Sequence, residues 1–327
     1  MEIVVAGFAV IAATMVVFAY LGFIWWLDRY EREPFWMVLL TFLYGAIFGI
    51  ACGCTFSALP AAVLANFGEA GNFLTTVVVA PVVEEFTKGF VFFLLIWSRH
   101  FDNETDGLIY GAATGLGFAA VENLLYFTSA ASMEALMTMV FLRTMFTALV
   151  HCISSATLGM SFGYFRRVGA GPLSFFVIFG GYLLAVTNHA VWNTIASTAG
   201  FAATSSAGAG AALLLVGCSL VVVASLVMFG LTQFSLDREH KLIRKYLAAE
   251  AELGTLPVEH AAIIPYWLRR RRGGWLPSQV PRAEYVKFAT LLAFRQHQLS
   301  TARGSGRKDE LVKDIAEYRQ RLRQMLG

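Results

Sequence analysis

Charge is what this chain has least of. Only 14% of its 327 residues are Asp, Glu, Lys or Arg, against roughly 25% in an ordinary soluble domain. With a mean hydropathy of +0.62, that excludes a soluble globular enzyme, a disordered chain and a nucleic-acid-binding protein. Cysteine is scarce as well. Cys52, Cys54, Cys152 and Cys218 all lie inside apolar runs, so no disulfide framework is implied. Cys52 and Cys54 are two apart, which on a helix points them to different faces and keeps them from clasping one metal. No internal repeat is evident, which argues against a transporter built from inverted repeats.

Apolar runs dominate the first 234 residues. Seven segments approach the ~20 residues that a spanning helix needs: 3–27, 35–59, 72–97, 107–131, 136–163, 172–197 and 208–234. The first lacks a basic leader and is too long for a cleavable signal. The expected fold is all-α: a polytopic membrane domain over 1–234, with about seven transmembrane helices, and a helical tail over 235–327. The membrane part carries a formal charge of −5 and the tail +8, which suits an anionic cytoplasmic lipid surface.

Basic residues also set an orientation. Arg29 and Arg32 follow the first segment, Arg99 the third, Arg166 and Arg167 the fifth, and the basic tail the seventh. The N-terminus and the alternate loops 60–71, 132–135 and 198–207 contain no Lys or Arg. The positive-inside rule then places the N-terminus outside and the C-terminus in the cytoplasm.

Within the tail, Leu242, Ile243, Tyr246 and Leu247 share one helical face. Leu311, Ile315, Tyr318, Leu322 and Met325 form a short heptad-like stripe. Arg269 to Arg272, between Trp267 and Trp275, read either as an interfacial anchor or as a solvated basic loop.

Ionisable groups inside a bilayer cost at least ~2.5–3.5 kcal/mol each and mark function. Four consecutive segments carry them here: Glu84, Glu85 and Lys88; Glu122 with Asn123; Arg143 and His151; His189 and Asn193. Counted at ~1.5 Å per residue from the segment ends, Glu84, Glu122, His151 and His189 fall in one layer. Glu84 and Lys88 are four apart, so Lys88 can offset a carboxylate. Glu84 and Glu85 diverge by about 100°, so only one can face a given point squarely.

Pro81 removes a backbone donor just before the acidic pair and should kink or open the helix there. Gly111, Gly115 and Gly117 give the fourth segment a small face for close helix approach, and they suggest it as a route for lateral substrate access. Arg143 has open readings: a role in the polar layer on one side, snorkelling outward or pairing with Glu134 on the other. The aromatic residues Phe90, Phe92 and Phe93 are expected to face lipid or to pack.

Charge counting narrows the chemistry. Glu84, Glu85 and Glu122 against Lys88 and Arg143 leave −1, so a proton or a divalent metal with hydroxide must complete the layer. Both describe hydrolysis. A carboxylate can serve as general base toward water, and imidazoles can stabilise an oxyanion. No Ser–His–Asp arrangement is convincing, although His151 and Ser155 are four apart, and the segments contain no aspartate for an aspartyl dyad.

At these residues the chain resembles the PrsW family of intramembrane endopeptidases, within a wider group that includes the type II CAAX prenyl endopeptidases. The matching stretches are residues 28–34 (DRYEREP), 80–88 (APVVEEFTK), 106–112 (DGLIYGA), 115–123 (GLGFAAVEN), Arg143 with His151, and 189–193 (HAVWN). The resemblance implies paired catalytic glutamates at Glu84 and Glu85, Phe118 to Glu122 as a Phe-x-x-x-Glu motif, catalytic histidines at His151 and His189, and Asn193 after the last. It also implies a membrane-anchored protein substrate, with an anti-sigma factor as one such class, and either glutamate-activated water or one divalent metal such as zinc. Glu122 and Lys88 stand where the CAAX branch usually has His and Arg, which favours the PrsW side.

The residues therefore point to an intramembrane peptidase with Glu84, Glu85, Glu122, His151 and His189 as catalytic candidates, Lys88 and Asn193 in support, and no nucleic-acid partner. The alternative is a proton-coupled or divalent-cation transporter using the same layer.

Overall fold

A computed structural model describes residues 2–98, 100–302 and 305–327. Among them no strand occurs, and every element is helical. Six helices are long and apolar enough to cross a membrane. In chain order, α1 is Glu2–Leu27, α2 Phe35–Ala65, α3 68–89, α4 Val91–Leu95, α5 Glu104–Thr128, α6 Met133–Val168, α7 Pro172–Ser205 and α8 Ala207–Glu252. The expected third segment is the one outside the six. Its residues are helical but split into α3 and α4, and Glu84, Glu85 and Lys88 lower its hydropathy. The site residues themselves thus remove the signature of a plain spanning helix. Arg99, used for the orientation, lies outside the described residues.

Local chemistry sets the helix ends. Asn103 starts α5 as a capping box: its side chain accepts from Thr105 N at 2.7 Å, and Asp106 Oδ2 accepts from Asn103 N at 3.0 Å. Gly169, at φ 91°, closes α6. Pro172 occupies the first turn of α7, where its missing N–H costs nothing.

The chain divides into two compact units, one of residues 1–27 and 33–232, the other of residues 28–32 and 233–327. In the first, α5 is the buried axis. A Cβ on Gly107, Gly111 or Gly115 would meet the backbone of Gly159, Ser155 or His151 on α6, and one on Gly117 would meet Phe42 on α2. Glycine here allows backbone-to-backbone packing. That corrects the expectation of lateral access along 107–131, because the glycine face is already filled by α6 and α2. Phe92 is fully buried against Phe101 and Phe162, while Phe90 and Phe93 are exposed.

In the second unit, the distal part of α8 continues without a break from the seventh apolar run. α9 Val258–Ile263, α10 Trp267–Arg271, α11 Arg282–Thr301 and α12 Ser305–Leu326 follow. Ile243, Leu247, Leu292, Ile315 and Leu322 share its core. The stripe on α12 is therefore largely used inside the unit. Arg270 is buried, donates to the Arg29 carbonyl and lies over the Tyr30 ring, whereas Arg269, Arg271 and Arg272 are exposed. The four arginines thus do not act as one group.

Candidate active site

Three helices of the first unit contain a five-residue π turn: Gly45–Gly49 in α2, Thr75–Val79 in α3 and Arg143–Thr147 in α6. Such turns re-aim side chains and recur at functional sites. On α3 the cause is legible. The Ala80 N–H bonds the Thr75 carbonyl, five residues back, and Pro81 has no N–H to offer. The Thr76 carbonyl is left without a helical donor, and Asn193 Nδ2 on α7 supplies one at 3.0 Å. Asn193 thus ties α7 to α3 and points at neither imidazole.

The helices bring the polar layer together. Lys88 Nζ lies 2.5 Å from Glu85 Oε1, 3.0 Å from His151 Nδ1 and 4.4 Å from the centre of the Phe118 ring. The partner of Lys88 is therefore Glu85, at i,i+3, and not Glu84. Room for Lys88 and Glu84 comes from α2, where Gly49 and Gly53 present no side chain to their methylenes.

An ammonium only donates, so His151 Nδ1 accepts and its proton sits on Nε2. From there it is given to Glu122 Oε2 at 3.0 Å. Arg143 Nη2 donates to the same oxygen at 2.5 Å, its Nε reaches Asn123 Oδ1 at 2.9 Å, and its guanidinium lies 3.6 Å from the centre of the Tyr126 ring. Arg143 is part of the site and does not snorkel toward Glu134.

His189 Nδ1 stands 2.9 Å from Glu85 Oε1 and donates to it. Its other nitrogen, Nε2, then carries a lone pair toward Glu84 Oε2, 3.9 Å away. The two imidazoles meet edge to face at 4.6 Å. Ser155 Oγ, a candidate partner for His151 in the sequence, donates to Glu85 Oε2 at 3.4 Å instead.

Burial divides the group. The side chains of Glu85, Lys88 and His151 are 0% exposed and His189 2%, while Glu84 is 13% and Glu122 16% exposed. The accessible edge thus holds Glu84 and Glu122.

The net charge of −1 now has an address. Lys88 neutralises Glu85 and Arg143 neutralises Glu122, which leaves Glu84. Its Oε2 is buried and has no hydrogen-bond partner. A carboxylate oxygen facing an imidazole lone pair with no donor between them needs a proton, a water or a cation. One ligand atom each from Glu84, His151 and His189 lies within 4.8 Å of the others. This N/N/O set suits a zinc-type ion once His151 has given its Nε2 proton to Glu122, because its Nδ1 faces Lys88, and Glu85 orients His189 from behind as such ligands require. The residues fit a metal.

Residues 33–230 match the model of a family described as PrsW family intramembrane metalloprotease. The chain belongs to this family. Proteins named Protease PrsW are similar to it: that of Oceanobacillus iheyensis is 30% identical over 146 residues, covering 44% of this chain and 63% of the relative. That of Geobacillus kaustophilus is 28% identical over 176 residues, covering 54% and 73%. That of Bacillus subtilis is 29% identical over 161 residues, covering 49% and 70%. The chain thus spans under two thirds of the first relative's length and slightly more of the others. No solved structure matches. PrsW membership favours the peptidase reading over the transporter reading, and the match includes no residue of the second unit.

Sequence reasoning named Arg143 and Ser155 without their partners and missed Tyr126. The spacing of Tyr126, four after Glu122, was the one signal for it.

Proposed function

We propose that this chain hydrolyses a peptide bond of a membrane-anchored protein, with Glu84 activating the attacking water. The observation that carries this is the unpartnered Glu84 Oε2 opposite His189 Nε2 in a layer whose other charges are paired. Glu84 takes the water proton. Glu85, paired with Lys88, holds the tautomer of His189 that leaves Nε2 free. His151, with its Nε2 proton directed toward the exposed edge at Glu122, is the donor nearest a developing oxyanion, and Arg143 holds Glu122 in position beside it. Alternatively, a divalent metal would be held by Glu84, by His189 Nε2 and by His151 with its Nε2 proton given up to Glu122, and would make its bound water more acidic.

The substrate is a single-pass or juxtamembrane protein, and an anti-sigma factor is one such class. The catalytic domain is 1–234, with its N-terminus outside. The tail 235–327 lies on the cytoplasmic side, where Arg269, Arg271 and Arg272 suit anionic lipid.

The test compares hydrolysis of a labelled unfolded protein by purified wild type, Glu84→Gln and Glu85→Gln. Glu84→Gln should lower kcat by about 10²–10⁴-fold, the usual share of a general base. Glu85→Gln should lower it by about 10–100-fold, the usual effect of losing an orienting carboxylate. Full activity in Glu84→Gln would remove Glu84 from the chemistry.

A further inference from the structure

We propose that the seam between α3 and α7 is a lateral gate, latched by Tyr182 and Asn193, through which a transmembrane segment of the substrate reaches the site. This rests on the peptidase reading. The two helices are those that carry Glu84, Glu85 and His189. Their lipid-side seam holds a groove of about 340 Å³ lined by Val77, Val78 and Val82 on α3 and by Val186, Ala190 and Val191 on α7. Val78, Val82 and Val191 are 50%, 40% and 43% exposed. The groove opens on the outer surface of the two helices, whereas the glycines of α5 set backbone against backbone on α6. The α3–α7 seam is thus an open cleft between the helices that carry the reacting groups.

Two side chains hold it. Tyr182 Oη donates to the Val82 carbonyl at 2.8 Å, and Asn193 Nδ2 donates to the Thr76 carbonyl at 3.0 Å. Of the two acceptors, the Thr76 carbonyl is the one that Pro81 leaves without a helical donor, whereas the Val82 carbonyl lies within the regular α-helical turns of α3. In lipid a carbonyl without a donor is costly, so the Asn193 latch can open only where another donor replaces it, while the Tyr182 contact adds to the seam without that constraint. An unwound peptide segment supplies that donor through its backbone N–H, and its aliphatic side chains fit the valine walls. A lipid acyl chain has no donor and cannot make the exchange. The seam thus selects a polypeptide of small apolar side chains that has left its helix, the form in which a peptide bond can be cut.

The test uses two probes: a single-pass reporter with an Ala/Val/Leu transmembrane segment, co-reconstituted in liposomes, and fluorescein-labelled casein, which has no transmembrane segment to pass through the seam. Ala190→Trp, filling the groove, should slow reporter cleavage at least tenfold while casein cleavage changes less than twofold. Tyr182→Phe should speed reporter cleavage two- to fivefold with casein unchanged. Equal effects on both probes, or an unaffected reporter, would overturn the gate. A photo-cross-linking residue placed at Val191 in the Glu84→Gln chain should capture the reporter at least fivefold more than one at Leu226, which is exposed on α8. Equal capture would also overturn it. Capture needs no turnover, so failure of Glu84 as the base and failure of the gate give separate readouts.

Discussion

At the residue scale, the site is a chain of donors that ends on one open acceptor. Lys88 and Arg143 fix the acceptor and donor roles of Glu85, His151 and Glu122, and the surplus charge collects on Glu84. Two consequences can be measured. Metal analysis of the purified protein should find one divalent ion per chain, lost in Glu84→Gln and in His189→Ala and kept in Ser155→Ala. A metal-free, fully active enzyme would assign the water to glutamate alone. Lys88→Met should destabilise the fold by about 3–5 kcal/mol, because it leaves Glu85 buried and uncompensated. The double variant Lys88→Met/Glu85→Gln should recover most of that stability in denaturant titration and remain poorly active, since His189 has lost its charged orienter.

At the element scale, glycines and π turns do the placing. His151 reaches Glu122 because Gly115 lets the α6 backbone press against α5. Gly115→Val would drive a side chain into the His151 carbonyl. Purified Gly115→Val should show lost thermal stability together with lost activity. Gly180→Ala, with nothing within 4 Å of the new Cβ, should change unfolding by less than about 0.5 kcal/mol, as surface replacements do. The glycine face on α5 was legible in the sequence as a small-residue pattern, but its partner was not. Spacing says that something packs closely, and only the packing itself says that the neighbour is α6. Pro81 likewise announced a missing donor, while the answer to it, Asn193, sits more than a hundred residues away.

At the scale of the whole molecule, two compact units differ in what holds them. The tail unit has its own apolar core and a buried imidazole, His260, hydrogen-bonded to Tyr285 Oη at 2.9 Å. Burial lowers the pKa of His260 below its ordinary value. The unfolded chain therefore binds a proton that the folded unit resists. The stabilising contribution is present above the unfolded pKa of about 6.5 and is lost as the pH falls below it, at up to about 1.4 kcal/mol per pH unit until the folded group titrates. Hydrogen exchange of residues 258–293 should accelerate between pH 7 and 5 in the wild type and flatten in His260→Gln. An unchanged slope in the variant would place the titration elsewhere.

The sequence by itself determined the helical membrane architecture, the family and the membership of the polar layer, because hydropathy, spacing and the energetic penalty on intramembrane charge are local properties of the chain. It offered three glutamates and one surplus charge without saying which glutamate carried it, and it left Arg143 between a role in the polar layer and snorkelling or pairing with Glu134, of which the structure adopts the first. It also assigned the lateral route to the glycine helix. Tertiary structure decided these points because each depends on which side chains meet across helices. The Lys88 and Arg143 pairings, the filled glycine face and the open groove between α3 and α7 depend on residues distant in sequence, and no periodicity along one helix encodes the identity of its neighbour.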